Sequence, residues 1–323
     1  MRIEKTDYFD QFSCLADRCP DSCCHEWILQ VDEETARFYR RLPGPLGERL
    51  REVLQEEDGD IILSPVDGKC PMWRPDGLCR IQAELGHDAL CQTCRQFPRL
   101  THDYGDFVEY GLELSCPEAA RLILTTPSAP LVSREVPGGE EPAYDRQDMA
   151  LLQSTRDKAL SLLDDPARTV AQALSDLLRF AGQVQWDLTG GSLPEPEKCC
   201  PIDEGMAAMV DFFNGLEILT DRWRRLLSHP APGPWREEHR RLARYLIQRY
   251  WLQAISDLEL LARVKFLVAA CLLLRHLGSD VIAAAQLFSK EIENDADNID
   301  AILDAAYTHP AFHTSTLLGL LEA

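Results

Sequence analysis

The 323-residue sequence has no long apolar run, no excess of basic charge and no phosphate-cradling glycine loop. Its longest late apolar stretch, Phe266 to Leu274, is bracketed by Lys265 and Arg275 and falls far short of the ~20 residues needed to cross a bilayer. The chain opens Met1-Arg2-Ile3-Glu4-Lys5-Thr6-Asp7 with no apolar segment behind it. No secretory leader and no membrane association are therefore expected. Lysine and arginine number 33 against 53 aspartates and glutamates, a net charge of −20, and the deficit is spread: residues 1–120 carry 13 basic and 24 acidic side chains. A nucleic-acid binder draws its affinity from lysines and arginines that neutralise phosphates, so that class is excluded. A neutral or basic partner, such as a lysine-bearing protein surface, fits the sign. Neither GxxxxGK[ST] nor a strand–GxGxxG–helix unit occurs, so a nucleotide-derived cofactor has to be held without the usual turn. Repeats at solenoid periods and heptads are absent too. Disorder as the general state is excluded by a hydrophobic content of 45%.

What the chain has is cysteine. Of twelve, nine fall in the first 116 residues: Cys14, Cys19, Cys23, Cys24, Cys70, Cys79, Cys91, Cys94 and Cys116. With no export signal a cytoplasmic location is expected, and there clustered thiols read as metal ligands or redox groups rather than disulfide staples. Soft thiolates select zinc or iron–sulfur clusters, and either needs about four ligands converging from separate loops. Cys23 and Cys24 are adjacent, and neighbouring side chains point ~100° apart on a helix and to opposite faces of a strand. The two are expected to face different partners. Cys271, inside the apolar run, reads as a small buried hydrophobe. Cys199 and Cys200, in a polar loop without a second pair nearby, read as incidental thiols. His25 reads as a surface or first-turn histidine, since thiols are already plentiful.

Composition divides the chain into a cysteine-rich part over 1–125, a linker over 126–145 rich in Pro, Ser, Gly and Glu, and a helical part over 146–323. The expected fold class is mainly α: an irregular, cysteine-rich, metal- or cluster-binding N-terminal part followed by an all-α helical bundle. Helical segments are expected up to 163, from Pro166 as a first-turn residue, and near 205–228, 236–256, 258–277, 280–293, 297–307 and 311–322. In the fourth of that later series Val281, Ala284, Ala285, Phe288 and Ile292 share one face.

The ordered cysteine motifs carry a resemblance. They run Cys14…Cys19-x3-Cys23-Cys24-x2-Trp27, Cys70-Pro71-Met72…Gly77-Leu78-Cys79-Arg80-Ile81-Gln82, Leu90-Cys91-Gln92-Thr93-Cys94…Phe97-Pro98-Arg99 and Leu114-Ser115-Cys116-Pro117-Glu118. This order resembles the flagellin lysine-N-methylase (FliB) family over about residues 10–125. Its middle is also similar to a broader family of zinc- or iron-chelating cysteine-rich domains. The resemblance implies S-adenosylmethionine-dependent methylation of protein lysines, flagellin among the substrates, by a protein carrying a [4Fe-4S] cluster, with zinc as the alternative metal. Because a serine usually stands where this chain has Cys91, the ligand set implied is Cys14, Cys19, Cys23, Cys24, Cys70, Cys79, Cys94 and Cys116. The radical-type CxxxCxxC loop is not present, since Glu26 occupies its third position, and polar methyl transfer is expected.

Such chemistry needs a neutral lysine amine, hence desolvation or a base, held in line with the methyl group. The acidic-aromatic segment from Asp103 to Tyr110 offers candidates in Tyr104, Glu109 and Tyr110, with Glu113 just after it, and its aromatic faces could attract a cationic stem. The plainer reading of that segment is a hairpin with an aromatic core face. Arg99 is the candidate for a cofactor carboxylate, through its planar fork, against a surface salt bridge. Two other classes remain open on the sequence: a non-catalytic zinc- or iron-chelating interaction module, and a thiol redox sensor.

Overall fold

A computed structural model of the chain describes residues 1–191, 201–278 and 280–323, so Cys199 and Cys200 lie outside the described residues. The first part mixes short strands and helices: β1 (Arg2–Lys5), β2 (Leu29–Gln30), α1 (Glu33–Arg41), α2 (Gly44–Val53), β3 (Gln55–Glu57), β4 (Asp60–Leu63), α3 (Arg80–Leu85), α4 (Gln92–Gln96), β5 (Arg99–Asp103), β6 (Phe107–Leu112), α5 (Pro117–Thr125) and β7 (Val132–Glu135). Thereafter the described regular structure is helical: α6 (Arg146–Leu163), α7 (Val170–Thr189), α8 (Ile202–Asn214), α9 (Asp221–Ser228), α10 (Glu237–Tyr250), α11 (Leu260–Leu277), α12 (Val281–Phe288), α13 (Ala296–Thr308) and α14 (Thr314–Glu322). The mainly-α class holds. No helix among the described residues is long and apolar enough to cross a membrane.

The bundle is organised around α11. Its residues are apolar on nearly all sides and almost entirely buried, as a helix enclosed by others must be. It packs against α7, α10, α13 and α14. Lys265, a cation within it, is 0% exposed and donates to the carbonyl of Ala306 at 2.7 Å. Val281, Ala284, Ala285, Phe288 and Ile292 are all buried, as their spacing predicts. After Phe288 the helix widens into a π-turn, Ser289–Glu293, in which every residue is buried.

Two sheets frame the first part. One has the order β5-β6-β1-β7, with β1 parallel to β6 and antiparallel to β7; the other has the order β2-β4-β3. Residues 107–124 share one continuous hydrophobic core with the bundle, while residues 29–94 form a second core around Tyr39, Leu50, Met72 and Cys91.

Three expectations are corrected. The expected linker contributes β7, an exposed edge strand whose place is set by backbone pairing with β1, so no apolar pattern advertises it. Helix α7 starts at Val170 rather than at Pro166. Thr169 and Gln172 form a reciprocal capping box there, Gln172 N–H to Thr169 Oγ1 at 3.2 Å and Thr169 N–H to Gln172 Oε1 at 2.9 Å. The segment near 205–228 is two helices. Thr220 caps the second by accepting from Trp223 N–H at 3.1 Å.

Candidate functional site

The nine cysteines of the first part are free thiols brought together by loops. A 3₁₀ turn at Ala16–Arg18 separates Cys14 from Cys19, and the Ala16 N–H donates to Cys14 Sγ at 3.4 Å. Cys23 and Cys24 occupy a turn in which Ser22 Oγ accepts from the Cys24 N–H at 3.1 Å. The Cys24 carbonyl then accepts from the Cys70 N–H at 2.7 Å. Cys79, Cys91 and Cys116 each stand at the N-cap of a helix, α3, α4 and α5 respectively.

Cys19, Cys23, Cys24 and Cys79 line one cavity of about 450 Å³, together with Asp21, His25 and Trp73. The Cys24 thiol is a donor toward the sulfurs of both Cys23 and Cys79. Donation from Cys24 lowers Cys79 to about 6 and also lowers Cys23, while Cys24 itself is driven far up. The N–H groups of Gln82 and Ile81, at the start of α3, help lower Cys79 without closing a capping bond. A second thiol pair follows the same pattern. Cys94 donates toward Cys91, which falls to about 7, and Cys94 rises. Burial pushes Cys70 up to about 11 and Cys116 up to about 12. The charges of Cys14 and Cys23 act on Cys19, those of Cys79, Cys91 and Cys23 on Cys70, and those of Cys19 and Cys23 on Cys116. All eight of the implied ligands are thus electrostatic neighbours in one region, and Cys91 joins them.

Two points differ from the sequence reading. Cys23 and Cys24 face the same cavity and each other, because they sit in a turn, where neither the helical nor the strand angle between neighbours applies. Cys91, set aside because of a serine elsewhere, is 2% exposed and in contact with Cys94. Its C-x2-C spacing with Cys94 was the signal for it.

The donor set suits a soft metal or an iron–sulfur cluster. Four thiols line one cavity, two neighbouring thiols are acidic, and the Nε2 atom of His25, also on the cavity wall, is buried without a hydrogen-bond partner. Among the described residues no group of three or more His, Cys, Asp or Glu side chains is placed to hold a metal ion. Metal binding to such thiols would release their protons.

The other candidates lie elsewhere. The hairpin expected over the acidic-aromatic segment is β5–β6. Tyr104 stacks on Phe107 at 4.6 Å between centroids and burial raises its phenol. Glu109 and Tyr110 line a crevice of about 40 Å³ between the sheet and the bundle, with Glu4, His102, Arg156 and Arg249. Arg156, missed on the sequence, approaches Glu109 at 2.6 Å and Glu4 at 3.7 Å. The closer approach is an ion pair whose atoms are not aligned as a hydrogen bond. Burial raises the Glu109 carboxyl against the pull of Arg156, and burial with the charges of Arg249 and Arg156 lowers His102 to about 4. Glu113 is raised by burial and accepts from Ser115 Oγ at 2.9 Å. Arg99 holds its guanidinium 5.3 Å from the Phe12 ring.

Curated relatives bear on this site. The chain is 31% identical over 170 residues to the flagellar biosynthetic protein FliU of Salmonella muenchen, a match covering 50% of this chain and 95% of that protein. The chain belongs to a FliB-like family. It is also 33% identical over 143 residues to the lysine-N-methylases of Salmonella typhimurium strain LT2 and Salmonella choleraesuis strain SC-B67. That match takes in 41% of this chain and 35% of each enzyme, so the shared region is about a third of their length. No family model matches the chain, and no solved structure matches it.

Proposed function

We propose that this chain is a protein-lysine N-methyltransferase that uses S-adenosylmethionine, carries a [4Fe-4S] cluster and acts on a flagellin-type substrate in the cytoplasm. The observation that carries the reading is the convergence of Cys19, Cys23, Cys24 and Cys79 on one cavity, in a family whose curated members include enzymes named for lysine N-methylation. Those four cysteines would hold the cluster, and Cys70, Cys91 and Cys94, just behind, would form a second site or pack. A [4Fe-4S] cluster takes four thiolates, or three with one iron left open to a ligand, and so can anchor the cofactor. Cys79 and Cys91, at about 6 and about 7, give up their protons easily, which metal loading requires.

The polar half of the chemistry falls to the chain itself. Glu109, its carboxyl raised by burial, is our candidate for the group that takes the proton of an incoming ammonium. Tyr110 and Tyr104 offer ring faces on the same hairpin. Arg99, on β5, is our candidate for a cofactor carboxylate. The net charge of −20 favours encounter with a lysine-rich surface.

Anaerobically purified protein should contain iron and acid-labile sulfide and absorb as a brown chromophore. With cofactor added, intact-mass spectrometry of flagellin should show gains in whole methyl steps. Stoichiometric zinc without sulfide overturns the cluster and leaves a colourless zinc-chelating module. An intact cluster with no methylation of flagellin or of any lysate protein overturns the catalysis.

A further inference from the structure

The walls of the thiol cavity all come from the first part of the chain, but the loop that carries Cys19, Cys23 and Cys24 is held from outside by the bundle. Two residues of the bundle, one helical turn apart, reach that loop, at residues 21–27, and the backbone just before Cys116. Gln286, on α12, donates through Nε2 to Asp21 Oδ2 at 3.0 Å and to the Ser115 carbonyl at 2.8 Å. Lys290, in the π-turn, is 4% exposed and pairs with Glu26 Oε2 at 2.7 Å and with Asp21 at 3.4 Å. Its ammonium also stands 5.8 Å from the Trp27 ring. Asp21 lies between Cys19 and Cys23, Glu26 and Trp27 follow Cys24, and Ser115 precedes Cys116.

Two further observations make these contacts more than incidental. Glu26 has φ of 74°, a left-handed conformation that costs a non-glycine residue energy, and its surroundings hold it there through Lys290 and through its own N–H to the Gly68 carbonyl at 2.8 Å. The π-turn is what aims the three charged residues of this segment in different directions. Lys290 points to the thiol loop, Glu291 accepts from Leu219 N–H at 2.7 Å, and Glu293 accepts from Tyr250 at 2.9 Å. Such turns inside helices recur at functional sites.

We propose that Gln286 and Lys290 are positioning residues: a polar clamp by which the helical bundle fixes the Cys19–Cys24 loop and Cys116 against Cys79. The clamp gives the helical part a role in the thiol site, and its relevance to the cluster rests on the reading above. Its geometry, however, belongs to the metal-free chain and can be tested there.

The test is site-resolved alkylation of the metal-free full-length protein by iodoacetamide, read by peptide mass spectrometry, in Lys290→Met, Lys290→Arg and Gln286→Leu. Loss of the clamp frees the loop without opening the bundle, so Cys24 and Cys116 should react about tenfold faster in Lys290→Met and about threefold faster in Gln286→Leu. Cys70 and Cys91 should hold their rates, Cys271 should stay unreactive, and Lys290→Arg should restore protection. A uniform rise at all cysteines, or no change at Cys24 and Cys116 in a folded variant, overturns the clamp. Gln286→Leu leaves no buried charge unpaired, so it decides the matter if Lys290→Met does not fold. A wild-type protein that binds no iron but shows this alkylation pattern rejects the cluster and keeps the clamp.

Discussion

Removing the Arg156 guanidinium should expose how much the buried charges between sheet and bundle depend on it. Arg156 has 5% of its side chain exposed and Glu109 has 11%. Glu4, the second partner, keeps Arg2 at 3.0 Å, so Arg156→Met leaves one carboxylate, Glu109, without a counter-ion. Leaving a single buried charge unpaired costs about 3–5 kcal/mol. Unfolding entropy of about 2.1 cal/mol/K per residue gives roughly 0.7 kcal/mol per degree for a chain of this length, so the melting temperature at pH 8 should fall by about 4–7 °C. The sign of the pH dependence follows from Glu109. Its folded-state pKa is already raised by burial, and losing Arg156 raises it further. The folded variant therefore holds its proton more tightly than the unfolded chain. Stability is then fullest below the ordinary carboxylate range and is lost as pH rises through the folded-state value. Melting at pH 5 should show a smaller loss than at pH 8, and adding Glu109→Gln should recover most of the loss at pH 8. Equal losses at both pH values, or no rescue by Glu109→Gln, would refute the reasoning.

Four other outcomes follow from named residues. Cys24→Ser and Cys79→Ser should each lose most of the bound iron, because serine keeps its proton near neutrality and is a poor soft-metal ligand. Cys271→Ser, 0% exposed in α11, should keep its iron and lose about 1–3 kcal/mol in denaturant titration; iron analysis of Cys91→Ser, expected to fall with Cys94→Ser, decides whether Cys91 belongs. Phe288→Ala removes the ring that meets Phe266, Trp223 and Phe213 at 6.1–6.2 Å and should cost about 3–5 kcal/mol, with a smaller loss counting against a close-packed bundle centre. Thr169→Ala breaks the capping box of α7 and should lower stability by about 1 kcal/mol, whereas Pro166→Ala, outside the helix, should leave the melting curve in place.

The helical bundle was legible because its elements repeat an apolar face that the rest of the bundle then buries. Val281, Ala284, Ala285, Phe288 and Ile292 needed only their spacing. The thiols were legible as a set, since so many within one third of a chain exceed what packing alone requires. Their arrangement was not. Cys23 and Cys24 occupy a turn with no period to read, and the C-x2-C spacing of Cys91 with Cys94 stood against a resemblance that has a serine at the first position. Arg156, Gln286 and Lys290 were invisible for a different reason. Each acts on a partner 47 to 269 positions away, and a polar residue inside a helix carries no mark of what it meets. Strand β7 was hidden because an exposed edge strand needs only backbone to pair.

The place of β1 inside its sheet sets an order of assembly. Arg2 pairs with Phe107 on one side and Glu135 on the other, so the strand made first stays single until its neighbours leave the ribosome. At about 5–20 residues per second that wait is on the order of ten seconds. Eight of the nine cysteines lie inside the loop that the β1–β6 pairing closes. The second core, built from residues 29–94, can gather its own thiols during the wait, but Cys14 and Cys19 lie outside it and Cys116 is not yet made. The bundle that carries Gln286 and Lys290 comes last. A nascent chain therefore presents an open, partly assembled thiol nest, which closes once the helices that carry Gln286 and Lys290 are in place.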